Sequence, residues 1–440
     1  MTRKTSAILR LLACAALILT LCLSAALPTM AANLSGPGDE EHPAKAAITK
    51  VLKMPVGTDT PKIVFSFTFT KAKLDDDSDS ATLATMPALP NQTINFTSAS
   101  TVESDVASPG VEIVREESGN IVASPSFPWP HAGVYVYTVE EAESVTGADS
   151  GIGTVTYSRA EYEISVYVDN GDNGLFVKFV EARRTKADAG TAVADKPKVD
   201  PTLGGDQENY FYSQMIFNNE YAKSNGGTDP EETGDTVLSI SKTVAGLVAN
   251  RTKYFRFEVT VTKPAVGVGG TPKYIAYVVD ASGVVSPIVP DNIAAGAYVK
   301  TDSNGKSYIE FTSGTKQDVN LKHGQRLAFM NLEVGASFIV SEKAEADYKA
   351  GYSVVLNNGT PQTKNNSAVN TALAYPDSGT AYLGEAVNKV DYTNTRNKTT
   401  PTGISVDNLP YFALIGVAAA ALVATFVVIK VRRKGAKQGA

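Results

Sequence analysis

A lysine, a glutamate and an asparagine recur in that order twice along this 440-residue chain, as Lys50, Glu141, Asn219 and then Lys242, Glu342, Asn394. Successive side chains of a strand point to opposite faces. On that count Lys50 shares a face with Ile48 and Leu52, and Lys242 shares one with Leu238, Ile240 and Val244. Glu141 falls in register with Tyr135, Tyr137 and Val139, and Glu342 with Phe338 and Val340. Asn219 follows Met215 and Phe217, and Asn394 follows Val390 and Tyr392. All six polar groups therefore sit in the apolar register of their strands, where charged residues are seldom buried unless paired. A lysine buried among apolar groups gives up its proton, because desolvation disfavours the charged form. Moving its pKa from about 10.4 to about 7 costs roughly 4–5 kcal/mol, within reach of a closed core. The neutral amine is a nucleophile. A glutamate in the same pocket keeps its proton, hydrogen-bonds the asparagine carbonyl oxygen and shuttles protons to the leaving nitrogen. Folding holds amine and amide at high effective molarity. The expected product is an isopeptide bond from Lys Nζ to Asn Cγ with loss of ammonia, needing no cofactor and no metal.

The elements that must position these residues are strands. Runs such as Ile63–Phe69, Val134–Tyr137 and Tyr162–Val168 are β-branched and aromatic, and clusters of Asn, Asp and Gly punctuate them. The pattern predicts an all-β chain of sandwich type. The low-complexity stretch 223–234 reads as a linker, and the same features recur on either side of it. Ile48-Thr49-Lys50-Val51-Leu52 is answered by Ile240-Ser241-Lys242-Thr243-Val244, and Phe65-Ser66-Phe67-Thr68-Phe69 by Phe255-Arg256-Phe257-Glu258-Val259. Gly133–Glu141 is answered by Gly335–Glu342, and Phe217-Asn218-Asn219 by Tyr392-Thr393-Asn394. This is a tandem duplication whose copies have drifted. Glu140 and Asn218, beside the chosen residues, fall on the opposite parity.

Both ends carry targeting signals. Arg3, Lys4 and Arg10 precede the apolar stretch from Leu11 to Leu27, and small residues at Ala31 and Ala32 offer a cleavage point, so 1–32 reads as a secretory signal peptide. A tail follows at 33–44. The two domains are expected at 45–222 and 235–396, with a sorting region at 397–408. The uncharged apolar run 409–429 is long enough to cross a bilayer as one helix, and the basic tail 430–440 stays inside. The chain's two cysteines, Cys14 and Cys22, both lie in the signal peptide, so the exported part holds no disulfide. The formal charge of −6 becomes more negative once the basic ends are removed, which argues against nucleic acid as a partner.

The doubled lysine, glutamate and asparagine resemble the isopeptide-linked pilin domain. The whole chain, with its signal peptide and anchor, resembles the two-domain major (backbone) pilins of Gram-positive sortase-assembled pili, of the streptococcal kind. That resemblance implies two tandem immunoglobulin-like, collagen-adhesin B-type sandwiches, with bonds Lys50–Asn219 and Lys242–Asn394 promoted by Glu141 and Glu342. It implies that Thr399-Thr400-Pro401-Thr402-Gly403 is a sorting motif cut between Thr402 and Gly403. The motif departs from the usual Leu-Pro-x-Thr-Gly at its first two positions, which points to a pilus-specific sortase. The implied partners are that sortase, identical pilin subunits, and minor pilins or peptidoglycan, with the membrane as a partner only before cleavage. The implied location is a cell wall-attached pilus at the cell surface. Polymerisation also needs an acceptor lysine near the end of the first domain. The position seven before Asn219 is Tyr212, so Lys198 and then Lys196, in Asp195–Pro201, are the candidates.

Enzyme chemistry lacks reagents. His42, His131 and His323 are far apart, no zinc spacing occurs, and no Ser-His-Asp set is evident. Gly267–Gly270 opens no helix and so makes no phosphate cradle. The acidic run Asp75–Asp79 reads as a solvated loop rather than a calcium site. The alternative to a polymerising subunit is a wall-anchored adhesin or minor pilin that binds a host ligand, for which Trp129 would be a contact.

Overall fold

The computed structural model describes residues 37–122, 129–204, 212–232, 234, 237–293 and 298–397. The expected signal peptide, the Thr399–Gly403 motif and the 409–429 span lie outside these. Among the described residues, no helix is long and apolar enough to cross a membrane. The chain divides into two compact units that meet between Lys223 and Ser224, with the short stretch Ala265–Val268 grouped with the first. Of the segment 223–234, expected to be a bare linker, Gly227, Pro230 and Glu231 are hydrogen-bonded to strand residues or their neighbours within the second unit. Gly227 N donates to Met330 O at 3.0 Å. The Arg326 guanidinium donates to Pro230 O at 2.7 Å and to Glu231 O at 2.9 Å.

The first unit is built from β1 (Thr49–Pro55), β2 (Ile63–Leu74), β3 (Gln92–Phe96), β4 (Val102–Ser104), β5 (Val111–Glu117), β6 (Gly133–Thr146), β7 (Thr154–Thr156), β8 (Glu161–Asn170), β9 (Leu175–Lys186), β10 (Lys198–Val199) and β11 (Ile216–Ala222). One sheet runs β4-β5-β1-β11-β7 and the other β10-β9-β8-β6-β2-β3. Alternation makes the sandwich: in β8 every second residue, from Tyr162 to Val168, is buried while its neighbours are half-buried. Leu52, Met54 and Phe217 of one sheet and Phe65, Tyr137, Val139 and Ile164 of the other share one core. Opening strand β1 departs from strict alternation. Thr49 and Val51, on its outward parity, are buried too, and Thr49 Oγ1 donates to Ser213 O at 2.7 Å.

The second unit repeats the plan with β12 (Leu238–Ala245), β13 (Phe255–Thr262), β14 (Lys273–Val279), β15 (Tyr298–Thr301), β16 (Ser307–Thr312), β17 (Gln317–Leu321), β18 (Arg326–Phe329), β19 (Ser337–Glu342), β20 (Lys349–Val355), β21 (Gln362–Asn365), β22 (Leu373–Tyr375), β23 (Ala381–Tyr382) and β24 (Lys389–Thr395). Its sheets run β15-β16-β14-β18-β12-β24-β20-β21 and β17-β13-β19-β22, with β23 also paired to β19. Strand β13 alternates without a break, Phe255, Phe257, Val259 and Val261 facing in. The fold is therefore all-β, two tandem sandwiches, as the sequence leads one to expect.

In both units the first and last strands are hydrogen-bonded neighbours and run parallel. Lys50 pairs with Phe217 and Leu52 with Asn219. Lys242 pairs with Tyr392 and Val244 with Asn394. The asparagine thus sits two residues beyond the lysine's partner in each unit, on the same face. A parallel pair of chain ends needs the whole domain as its crossover.

Asn388 secures the entry to β24. It is fully buried; its Nδ2 donates to Val237 O, Gly384 O and Ala386 O at 3.1, 3.0 and 2.7 Å, and its Oδ1 accepts from Asn357 N and Gly384 N at 3.0 and 3.1 Å. Asn388→Ala strands several buried backbone groups, and we expect it to cost about 2–4 kcal/mol in urea unfolding of the second unit. A loss under about 1 kcal/mol would show that the turn does not depend on this side chain.

Candidate functional site: two buried lysine–glutamate–asparagine clusters

The structure brings each trio together inside its own sandwich. Lys50 projects from β1 and Asn219 from β11, while Glu141 reaches in from β6 of the facing sheet, where it pairs with Phe67 of β2. In the second unit Lys242 and Asn394 come from β12 and β24, and Glu342 from β19, opposite Phe257 of β13. Lys50 and Lys242 are 0 % and 1 % exposed, so neither ammonium reaches water.

Glu141 receives both partners, one on each oxygen. Lys50 Nζ donates to Oε2 at 2.8 Å and Asn219 Nδ2 to Oε1 at 2.5 Å. Lys50 Nζ also donates to Phe217 O at 3.1 Å. In the second unit Lys242 Nζ and Asn394 Nδ2 both donate to Glu342 Oε1, each at 2.6 Å. Aromatic rings close the space around each amine. Phe65 lies 4.7 Å from Lys50 Nζ, and Phe255 and Phe257 lie 4.4 and 5.6 Å from Lys242 Nζ. Phe217 packs edge-on against Phe67 and Tyr162, as Tyr392 does against Phe257.

Burial governs the protonation. Desolvation lowers Lys50 and Lys242 from 10.5 to about 8, even though the adjacent glutamate pulls the other way. Desolvation likewise raises Glu141 and Glu342 above the ordinary carboxyl range, outweighing the attraction of each lysine. Both shifts bring the amine and the acid toward the neutral pair.

One detail differs from the expectation that the glutamate hydrogen-bonds the asparagine carbonyl oxygen. In the first unit that oxygen is taken by the backbone: Ser158 N donates to Asn219 Oδ1 at 2.6 Å, which turns the amide nitrogen toward Glu141. In the second unit Asn394 Oδ1 and Glu342 Oε2 are buried without a hydrogen-bond partner among the described residues. Ser158 and the nearby Asp188 were not legible as site residues. They lie outside the duplicated pattern, and only the fold carries them to Asn219.

The residues of opposite parity lie elsewhere. Glu140 is exposed and meets Lys186 at 3.1 Å, while Asn218 donates through N and Nδ2 to Asp188 at 3.0 and 3.1 Å. Lys196 and Lys198 are both exposed. Lys198 opens β10, opposite Arg183, and its ammonium donates to Glu181 Oε2 at 2.6 Å. Lys196 adopts a left-handed φ of 38°. Trp129 is buried and packs on Tyr135 at 4.8 Å between ring centroids, so it is no surface contact for a ligand. The acidic run Asp75–Asp79 is spent on structural hydrogen bonds, Asp75 accepting from Val134 N of β6 at 2.7 Å and Asp77 from nearby Thr82 Oγ1 at 2.7 Å. Among the described residues, no group of three His, Cys, Asp or Glu could hold a metal.

Each lysine–glutamate pair can hold two, one or no titratable protons. With two protons the amine is charged and inert; with none the acid has no proton for the leaving nitrogen. The reactive form carries one proton, on the glutamate, and shares its net charge with the ion pair. The rate of any amide exchange here should therefore plot as a flat-topped bell against pH, with its alkaline limb near 8. Mass-resolved time courses of refolding between pH 5 and 10 will check it; a rate that keeps climbing past pH 9 rules out the acid as proton donor.

Residues 46–222 match the family model of the Spy0128-like isopeptide containing domain, and residues 236–396 match a domain family of unknown function. No curated protein matches the chain. Among solved structures, the major pilin from Streptococcus pyogenes is 15% identical, covering 81% of this chain and 100% of its own, at a TM-score of 0.30. The T3.2 major pilin of the same organism is 18% identical, covering 80% and 98%, at 0.27. The pilus-presented adhesin Spy0125 (Cpa) is 12% identical, covering 79% and 99%, at 0.22.

Proposed function

Through its residues 46–222 the chain belongs with the isopeptide-domain pilins of Gram-positive bacteria, and from that premise we propose that it is a structural subunit of a covalently polymerised surface pilus, clamped internally by Lys50–Asn219 and Lys242–Asn394 bonds. The observation that carries this reading is the repeated placement of the trio. In both units a buried lysine and asparagine lie two residues out of register on parallel first and last strands, joined by a buried glutamate from the facing sheet.

The chemistry needs only these residues. The neutral lysine nitrogen attacks Asn Cγ, the new C–N bond replaces the bond to Nδ2, and ammonia leaves. The glutamate accepts the proton the amine loses and gives one to the departing nitrogen. Each bond ties the strand where the domain begins to the strand where it ends. Tension entering at one end of a domain and leaving at the other then crosses covalent bonds rather than a hydrogen-bonded ladder. The closed loop also restricts the unfolded chain, as a disulfide does, in an exported segment that has no cysteine.

Assembly belongs to the same reading. A pilus-specific sortase cleaves between Thr402 and Gly403 and passes Thr402 to a lysine of another subunit, with Lys198 preferred over Lys196. Minor pilins or peptidoglycan take the last transfer at the cell wall.

Intact mass of residues 33–402 should fall short by two ammonia molecules. Glu141→Ala with Glu342→Ala should restore the full mass and lower stability by about 3–5 kcal/mol per lost bond. An unmodified parent mass would falsify the self-crosslinking. For assembly, wall extracts boiled in detergent should show a ladder of high-mass bands that collapses to monomer in Thr402→Ala. A single monomer-sized wall species in the unaltered strain would favour the non-polymerising adhesin.

A further inference from the structure

The two clusters are not equivalent around the asparagine oxygen, which is where charge gathers when an amine adds to an amide. In the first unit the Ser158 N–H points at Asn219 Oδ1 from 2.6 Å, in a buried position. That N–H is held from behind. Ser158 Oγ donates to Asp188 Oδ1 at 2.6 Å and accepts from Ala160 N at 3.1 Å. Asp188 in turn accepts from Asn218 N at 3.0 Å, beside the reacting asparagine, and from the Arg184 guanidinium at 2.7 Å. One carboxylate therefore locks the turn carrying the donor to the strand carrying the acceptor. Burial would raise Asp188, but the hydrogen bonds from Ser158 and Asn218 hold it below the ordinary range, so it stays charged. In the second unit Asn394 Oδ1 is buried with no donor among the described residues.

We propose that the Ser158 backbone N–H is the oxyanion donor for the first domain's crosslink, and that Asp188 is the positioning residue that aims it. The proposal rests on the self-crosslinking reading above. As Lys50 Nζ bonds to Asn219 Cγ, the carbonyl π pair moves onto Oδ1 and meets the Ser158 N–H. When that pair returns, the Cγ–Nδ2 bond breaks, and the nitrogen leaves as ammonia with the proton relayed from Lys50 through Glu141. A preorganised donor needs no rearrangement at this moment and is worth on the order of 10²–10³ in rate. The second domain lacks it, so its bond forms more slowly in the same molecule.

The test follows both bonds at once. Residues 33–402, recovered unfolded and unreacted from inclusion bodies, are refolded, quenched at intervals and digested, and the peptide masses report each bond separately. In the parent, the first bond should form faster than the second. Replacing the Ser158 amide by an ester, which removes only the N–H, should slow the first bond about 10²-fold and leave the second alone. Asp188→Asn should slow the first bond on the order of tenfold. It should also move that bond's pH profile toward acid. The charged or titratable groups facing the pair are Asp188, which raises both Lys50 and Glu141, Arg184, which pairs with Asp188, and two tyrosines kept neutral here: Tyr157, raised by burial and by Glu141, and Tyr162, pushed up to about 12 by burial. The second bond's profile should not move. An ester that leaves the first rate unchanged overturns the oxyanion assignment. An Asp188→Asn chain that is slower with an unshifted profile reduces Asp188 to a structural residue. If neither bond forms in the parent, the self-crosslinking reading fails and this proposal with it.

Discussion

Everything in this molecule depends on placing an amine and a carboxylic acid side by side where water cannot reach them. Two opposite charges in a dry core are costly, and their mutual attraction seldom repays the lost hydration. Here burial lowers the lysines and raises the glutamates, so each pair is driven toward its neutral form. The pair is poorly suited to being a mere stabilising contact, since apolar side chains of similar volume would serve a sandwich core at least as well. Its retention at equivalent points of two drifted copies makes sense if the pair reacts.

The fold supplies the enclosure and the register together. Face-to-face sheets of alternating strands exclude water from the space between them, and Phe65 and Phe255 complete the walls around the amines. Parallel pairing of first and last strands aligns lysine and asparagine on one face, a short step apart. The glutamate comes from the other sheet, and its carboxyl meets both groups across the core. Strand polarity, register and sheet packing thus act as one constraint, and a slip of a single residue in any of them would turn a reacting group outward.

Duplication preserved that constraint and relaxed the rest. The aromatic that packs beside the asparagine is Phe217 in one unit and Tyr392 in the other, and the tyrosine hydroxyl finds Val340 O at 2.9 Å. Among the described residues, the asparagine oxygen meets a backbone donor in the first unit and none in the second. Sheet sizes differ as well, the larger one of the second unit extending through β14–β16, where Tyr277, Val279, Ala328 and Met330 form an added apolar cluster. Drift of this kind leaves two centres with the same reagents in unequal surroundings.

What could be read without coordinates was whatever obeys a local period or repeats along the chain. The runs Tyr162–Val168 and Phe255–Val259 announce strands, and recurrence of Lys, Glu and Asn in apolar register singles out six residues, because both signals are carried by spacing and residue type alone. The duplication also separated Glu141 from Glu140 and Asn219 from Asn218, since parity follows directly from the two-residue period. Tertiary structure alone decided that β1 and β11, distant in sequence, run parallel and adjacent, and that β1 is buried on both faces. It alone brought Ser158 and Asp188 to Asn219 and tied Gly227, Pro230 and Glu231 into the second unit. These depend on which strands become neighbours and on where turns without periodicity come to rest. Such contacts join residues far apart in the chain, and no local pattern of residue types encodes them.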